Sequence, residues 1–405
     1  MMYFAHEMSR KALTPARILA GAQGKLLRHR MNPWSRVPGM RSVASALHVF
    51  EDLTRRYPKP AFDLDTTVCD GETVLVNETI VKRKPFCQLK HFQRNVDRPD
   101  DPKLLIVAPL SGHFASLLRG TVEAMLPGHD VYITDWRDAS MVPISEGNFG
   151  LDDYIDYVID FIDHLGPDTH VLAVCQPVVP VLAATALMAE DDHPSAPRSL
   201  ALMSGPVDGR VDPTEPCELA NKHKLSWFRR NLIHTVPLNY PGAMRKVYPG
   251  FLQLTGFINM NFDRHLDAYR GLFKSIRDGD TEDVTRHRNF YDEYLAVMDL
   301  PDAYYMDTIE RVFQEFHLAR GCFRHHDRLV NPGAIRKTAL MTIEGEKDDI
   351  SSPGQTEAAH KLCTNIPDDR RVHHLQPGVG HYGTFNGRRW REEISPRLQA
   401  FIRSA

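Results

Sequence analysis

The sequence predicts an α/β protein in which one mostly parallel sheet, flanked by helices, is interrupted by a helical insertion. Three observations carry that prediction. From residue 103 to 208, short apolar runs alternate with helix-length amphipathic segments, the pattern of successive βαβ units. From about residue 209 to 333 the alternation stops, and aromatics, prolines and helix-like segments take over. It resumes at "TALMTIEGEKDD" and continues to the last residues. A chain of 405 residues can build one large core carrying such an insertion. The expected organisation is an N-terminal helical segment (1–60), a first core part (61–208), a cap (209–333) and a second core part (334–405).

The opening stretch, "MMYFAHEMSRKALTPARILAGAQGKLLRHR", is basic and mildly amphipathic, and reads as a helix packed on the body rather than a surface-seeking one. Pro15 is expected to break or kink any single helix through it, because it removes a backbone donor and crowds the preceding turn. Three β-rich runs follow: "AFDLDTTVCD", "ETVLVNETIV" and "FCQLKHFQR". "KLLIVAPLSGH" is a buried strand running into a loop, and "FASLLRGTVEAML" is its helix. "HDVYITDW" is the next strand, and "LDDYIDYVIDFIDHLG" has helical apolar spacing and a terminal glycine. "THVLAVC", "PVLAATALMAE" and "SLALMSGPVD" read as strand, helix and strand. Pro180 lacks the N–H that would serve the Gln176 carbonyl, which points to an irregular start of that helix. The insertion has no clear buried strand. After it, "RRVHHLQPGVGH" supplies a strand and a loop, and "RRWREEISPRLQAFI" the last helix.

Composition excludes several classes. A net charge of −3 gives no electrostatic case for nucleic acid. No run of about 18 apolar residues exists, so no membrane span is expected. The opening stretch lacks the uninterrupted apolar centre and cleavage site of a secretory signal. The six cysteines show no CxxC pair and no short His/Cys ligand spacing, so reduced thiols in a cytosolic compartment are expected, with no disulfide framework and no metal. No P-loop, GxGxxG or HExxH is present, and no cofactor is expected.

Chemistry is expected at three strand ends. "VLAVCQPVVP" ends a buried run on Cys175 and then opens a helix. A cysteine at a strand end is on its own an ordinary core residue. The same position is where a strand-to-helix elbow displays a nucleophile, although Ala173 and Pro177 replace the usual glycines of G-x-nucleophile-x-G. "IEGEKDD" follows a later strand and can present Asp348, with Asp349 as its rival, while "GVGHYG" sets His381 in a loop among glycines. In parallel sheets such groups gather at the strands' C-terminal ends, and the order Cys175, Asp348, His381 is that of the α/β-hydrolase fold. In this reading a thiol at a helix N-terminus beside an imidazole is driven towards thiolate, and Asp348 fixes the His381 tautomer. The oxyanion hole would draw on the backbone N–H of Gln176 and on Leu110 or Ser111 in "APLSGH". Candidate substrate contacts are His113 near the mouth, Trp136 at the end of its strand, and Trp227 and Tyr248 of the aromatic insertion. The plainer roles are loop capping for His113 and the cap's own core for the insertion aromatics.

The segments "KPAFD", "KPFC", "APLSGH", "VYITDW", "VCQP", "YPGFLQ", "FYDEY", "EGEKDDIS" and "GHYG.F.GRRWREEI" together resemble the intracellular poly(3-hydroxybutyrate) depolymerases over nearly the whole chain. The chain is more distantly similar to the polyester synthases, which also use Cys, Asp and His but carry G-x-C-x-G. The resemblance implies an α/β-hydrolase core with a cap, no metal or cofactor, and a carboxylic ester hydrolase acting on storage polyester through Cys175, Asp348 and His381. It further implies a cytoplasmic enzyme on polyhydroxyalkanoate granules, with the granule surface or 3-hydroxyalkanoate oligomers as partners; a homodimer is a separate expectation. The competing expectations are an acyltransferase passing the 3-hydroxyacyl group to coenzyme A, and an inactive granule-binding protein.

Overall fold

The structure, a computed structural model, describes residues 2–29, 31–33, 37–260 and 262–405. Residues 1, 30 and 34–36 of the expected N-terminal segment, and residue 261 of the cap, lie outside the described residues. The main sheet has nine strands: β1 (Thr66–Cys69), β2 (Glu72–Arg83), β3 (Cys87–Arg94), β4 (Lys103–Val107), β5 (Asp130–Trp136), β6 (His170–Val174), β7 (Ser199–Met203), β8 (Ala339–Gly345) and β9 (Arg371–Gln376). Their spatial order is β1-β2-β3-β5-β4-β6-β7-β8-β9. The β1/β2, β2/β3 and β3/β5 pairs are antiparallel, and every pair from β5 to β9 is parallel.

Sequence explains both halves of this arrangement. β6, β7 and β8 are buried at every position, as parallel strands covered by helices on both faces must be. β2, near the open edge, is polar and mostly exposed, with Val76 its one buried residue. Asp70 and Gly71 both have positive φ (51° and 87°), which matches the turn that an Asp-Gly pair makes between two antiparallel strands. The chain order reverses around β4, flanked by β5 and β6, so a crevice opens at the C-terminal ends of β4 and β6.

The core helices include α3 (Arg119–Met125), α4 (Leu151–Leu165), α5 (Val178–Glu190) and the C-terminal α12 (Ser395–Ser404). Between them in the chain lie the cap helices α6 (Glu215–Lys222), α7 (Leu225–Leu232), α8 (Gly250–Met260), α9 (Phe262–Asp278), α10 (Thr281–Tyr294) and α11 (Asp302–Thr308). The cap is not wholly helical. Residues 234–235, 246–248 and 300–301 form a small sheet, and 324–325 pairs with 328–329 as a hairpin. Pieces of two or three residues are too short to show an alternation of apolar and polar positions, so the sequence does not announce them. Arg245, buried beside this sheet, donates to the carbonyls of Val142, Pro143 and Gly147 at 2.6–3.0 Å and so ties cap to core.

One local expectation is corrected and a second, the irregular start at Pro180, is accounted for. The N-terminal α1 (Met2–Arg28) runs through Pro15 as one helix and packs on α2 (Pro38–Thr54). Pro15 and Lys11 are both exposed, so the carbonyl that loses its intrahelical donor can bond to water. Helix α5 starts at Val178, which makes Pro180 its third residue. First-turn amides have no intrahelical partner, and the start is therefore tolerated.

His113 and His129 are buried (3% and 0% exposed), and burial pushes both down to about 4. In the unfolded chain they titrate near 6.5. As pH falls from 6.5 towards 4, the unfolded chain takes up protons that the native rings refuse. The stability present above 6.5 is lost in that window. The unfolding free energy should drop by about 2–3 kcal/mol per ring between pH 7 and 4.5. Urea titrations at the two pH values check this, and His129→Gln should lose correspondingly less.

Candidate active site

Cys175 follows the last residue of β6 and precedes α5 by two residues. Its φ is +68°, the left-handed region, which costs a residue with a Cβ about 1–2 kcal/mol. The turn is held from both sides. The Cys175 N–H donates to the Met203 carbonyl of β7 at 2.7 Å, and its own carbonyl accepts from Val178 at 3.2 Å. Ala173 and Pro177 occupy the positions where an elbow usually keeps glycines, and the close approach is made elsewhere. A Cβ on Gly205, just past β7, would lie 2.2 Å from the Cys175 carbonyl oxygen and 2.4 Å from a Val178 methyl. Gly205→Ala should destabilise the fold by about 3 kcal/mol and lower kcat, because neither the turn nor the helix can retreat. Denaturant midpoint and steady-state kinetics measure the two effects.

Asp348 and His381 arrive on two loops stitched together by backbone bonds. Lys347 N–H donates to Val379 O at 2.9 Å, and Glu346 N–H to Gln376 O at 3.0 Å. His381 Nδ1 lies 2.8 and 3.0 Å from the two oxygens of Asp348. Both side chains are buried (5% and 0% exposed). The Asp348 Oδ1 also accepts the N–H groups of Ile350 and Ser351 at 2.9 and 2.8 Å, so its turn fixes the carboxylate. Asp349 points to solvent. Thr384 holds the histidine loop from within, its hydroxyl donating to the His381 carbonyl at 2.7 Å.

Burial alone would lower the His381 pKa. The Asp348 carboxylate and the Cys175 sulfur, which also interacts with the ring, outweigh burial and hold it well above the ordinary imidazole value. Cys175 itself is half-buried, whereas Cys69, Cys87, Cys217 and Cys363 are buried. The arrangement can therefore move a proton between a partly accessible thiol and a ring anchored by a carboxylate.

The backbone N–H groups of Gln176 and Ser111 make no hydrogen bond among the described residues. Leu110 differs from the expected free donor: its N–H bonds to Gln176 Oε1 at 3.3 Å. The long amide side chain next to the nucleophile reaches across and takes it. His113, expected near the mouth, is buried. Its buried Nε2–H donates to the Tyr294 carbonyl at 3.1 Å, and its backbone pairs with Val297, so it couples the β4 loop to the cap. Trp136, the other expected contact on the core, has its polar atom engaged inside the protein. It is fully buried, stacks on Tyr154 with ring centroids 4.3 Å apart, and its indole N–H donates to the Ala108 carbonyl at 2.8 Å. Trp227 stacks on His223 at 4.0 Å and meets Phe228 at 5.1 Å, both on the cap. Tyr248, half-buried, packs on Tyr305 at 4.1 Å.

Two further aromatics lie near the thiol: Tyr304, one of the insertion aromatics that the sequence offers as a channel lining, and Tyr382, which the sequence does not single out. Tyr304, on α11, is fully buried, and burial pushes its phenol far up, with Cys175 and Gln176 among its neighbours. Neither its hydroxyl nor Gln176 Nε2 has a hydrogen-bond partner among the described residues. Tyr382 adjoins His381 edge-on at 5.8 Å, and burial raises its phenol too, with Tyr294 and Cys175 adding to the shift. No short-range pattern ties Tyr304 to Cys175, because the cap folds back from more than a hundred residues away, whereas Tyr382 directly follows His381 in the chain. Two groups have metal-ligand spacing among the described residues, Asp156/His325/His326 and Glu344/Glu357/His373, and neither contains Cys175, Asp348 or His381. No helix among the described residues is long and apolar enough to cross a membrane.

Residues 204–405 match the family described as "PHB de-polymerase C-terminus". No curated protein matches the sequence. Among solved structures, the chain is similar to a thermophilic esterase from Thermogutta terrifontis (16% identity, 84% of this chain and 97% of that one, TM-score 0.41). It is also similar to a meta-cleavage product hydrolase from Pseudomonas fluorescens (14% identity, 84% and 97%, TM-score 0.42). A third is the 2-hydroxy-6-oxo-6-phenylhexa-2,4-dienoate hydrolase of a Rhodococcus species (12% identity, 82% and 99%, TM-score 0.42). The strand order and the placement of loops at the ends of β6, β8 and β9 are those of an α/β-hydrolase.

Proposed function

Because the chain belongs, through its C-terminal half, to the poly(3-hydroxybutyrate) depolymerase family and is an α/β-hydrolase, we propose that it cleaves the ester bonds of stored poly(3-hydroxybutyrate) with Cys175 as nucleophile. The observation that carries this reading is the buried Asp348–His381 pair at 2.8 Å, interacting with a thiol held in a left-handed turn.

His381 takes the Cys175 proton, and the thiolate attacks the ester carbonyl carbon. The oxyanion that forms is met by the N–H groups of Gln176 and Ser111. The imidazolium, stabilised by Asp348, then gives its proton to the departing alkoxide, leaving a thioester on Cys175. Water, deprotonated by His381, attacks that thioester, and collapse returns the thiol and releases a carboxylic acid. Tyr304 and Tyr382 support an apolar wall for an acyl segment that must leave a hydrophobic aggregate. The site of action would be the polyhydroxyalkanoate granule in the cytoplasm.

The protein should convert amorphous granules to 3-hydroxybutyrate or short oligomers with free carboxylates, identified by mass, with and without coenzyme A. Coenzyme A thioesters as the main product would show acyl transfer instead. No product from granules or from soluble oligomers would leave a granule-binding protein.

A further inference from the structure

The last segment of the cap before β8 is a short hairpin with the sequence "RHHDRL". Arg324 pairs with Leu329 and His325 with Arg328, so His326 and Asp327 form the turn. Consecutive side chains on a strand point to opposite faces. Here His326 has φ +49°, and the left-handed residue swings its ring round beside that of His325, with centroids 4.3 Å apart. Both rings then face one carboxylate. His325 Nε2 lies 2.9 Å from Asp156 Oδ1, and His326 Nε2 lies 3.1 Å from Asp156 Oδ2.

Asp156 belongs to α4 of the core, and Asp152 lies one turn before it. Asp152 fixes the hairpin by accepting the His326 N–H at 3.2 Å, and its other oxygen is neutralised by Arg311 at 2.9 Å. The hairpin's own guanidinium groups turn elsewhere. Arg328 pairs with Glu190 and Asp191, and Arg324 bonds to the Asp327 carbonyl. Among the described residues Asp156 has no lysine or arginine partner, and only the two imidazoles face it. A helix-surface carboxylate that served only as a charge partner would be better matched by one of these nearby arginines.

We propose that His325, His326 and Asp156 form a divalent-cation site of the zinc class, which fastens the returning end of the cap to core helix α4. The ligand atoms lie within 4.8 Å of one another, so a small shift brings all three around one ion. Two nitrogens and a carboxylate oxygen suit zinc, whereas magnesium and calcium take oxygen ligands. Three protein ligands leave a fourth position for water, open because His326 is 61% exposed. On binding, the neutral rings offer their Nε2 lone pairs and carry hydrogen on Nδ1 instead. The site joins α4 to the segment that leads into β8 and the Asp348 turn. Its role is positioning the cap, distinct from the ester chemistry, so it stands or falls separately from the hydrolase reading.

The test uses the full chain, titrated with zinc or cobalt(II). One equivalent should bind, with cobalt giving ligand-field bands but no sulfur-to-cobalt charge transfer, and the thermal midpoint should rise by several degrees. Asp156→Asn and the double change His325→Ala/His326→Ala should weaken binding by about 100-fold or more and abolish the thermal shift. His317→Ala, at a half-buried histidine that pairs with Glu315, should change neither. His326→Ala alone alters only an exposed ring, so it keeps a folded protein in the comparison. The absence of stoichiometric binding, a sulfur charge-transfer band, or a thermal shift that survives these substitutions would overturn the proposal.

Discussion

Replacing Cys175 with alanine should lower turnover of soluble 3-hydroxybutyrate oligomers by about 10⁴-fold or more, with thermal unfolding little changed. The substitution removes the attacking atom and little volume, and alanine keeps the Cβ that the left-handed turn already accommodates. A cysteine serving only as packing would show the reverse, a modest loss of stability and full activity. Cys175→Ser should also be strongly impaired. A hydroxyl gives up its proton far less readily than a thiol, and the buried, highly basic His381 is matched to a sulfur partner. Active-site titration alongside circular dichroism separates lost chemistry from lost fold. An alanine variant within a few-fold of wild type would remove Cys175 from the reaction.

The second large effect is expected at Asp348. Asp348→Asn should cost about 10⁴-fold in kcat. The wild-type Oδ1 accepts two turn amides, from Ile350 and Ser351, and an asparagine carbonyl would keep that position. Its NH₂ group would then face His381 Nδ1 and donate to it. The ring would be forced to carry its hydrogen on Nε2 and could not accept the thiol proton. The neighbouring Asp349→Asn alters an exposed group and should cost less than about 10-fold. Measuring kcat and KM for both variants at one pH decides between the two aspartates, and a larger loss at position 349 would move the acid by one residue.

Sequence alone conveyed the parts of the molecule that local physics governs. β4 and β6 to β8 are covered on both faces, so they read as short continuous apolar runs between turn signals. The loops carrying Asp348 and His381 follow such strands or close on glycines. What lay beyond reach depends on contacts between distant segments. Gly205 is small because Cys175 of the neighbouring strand presses on it, and nothing within the local "SGPVD" run says so. Leu110 reads as a free donor in its own loop, yet its N–H is taken by the Gln176 side chain, 66 residues away in sequence. Trp136 and His113 sit in segments with the chemistry of a site, yet each spends its polar atom on a backbone carbonyl inside the protein. Pro15 does not divide its helix, because the residue whose carbonyl it abandons, Lys11, is exposed and that carbonyl can bond to water.

The β7–β8 pairing has a consequence for the timing of synthesis. Ser199 lies beside Ala339 in the sheet, although the whole cap separates them along the chain. Cys175 is made before the cap, while Asp348 and His381 are made after it. At ribosomal rates of 5–20 residues per second, the roughly 200 residues between thiol and imidazole take about 10–40 s to emerge. For all of that interval the nascent chain carries an ordinary cysteine with no base beside it. In the proposed mechanism the Cys175–His381 pair is complete only when the final strands dock, so an unfinished or abandoned polypeptide would have no competent nucleophile to turn on its surroundings.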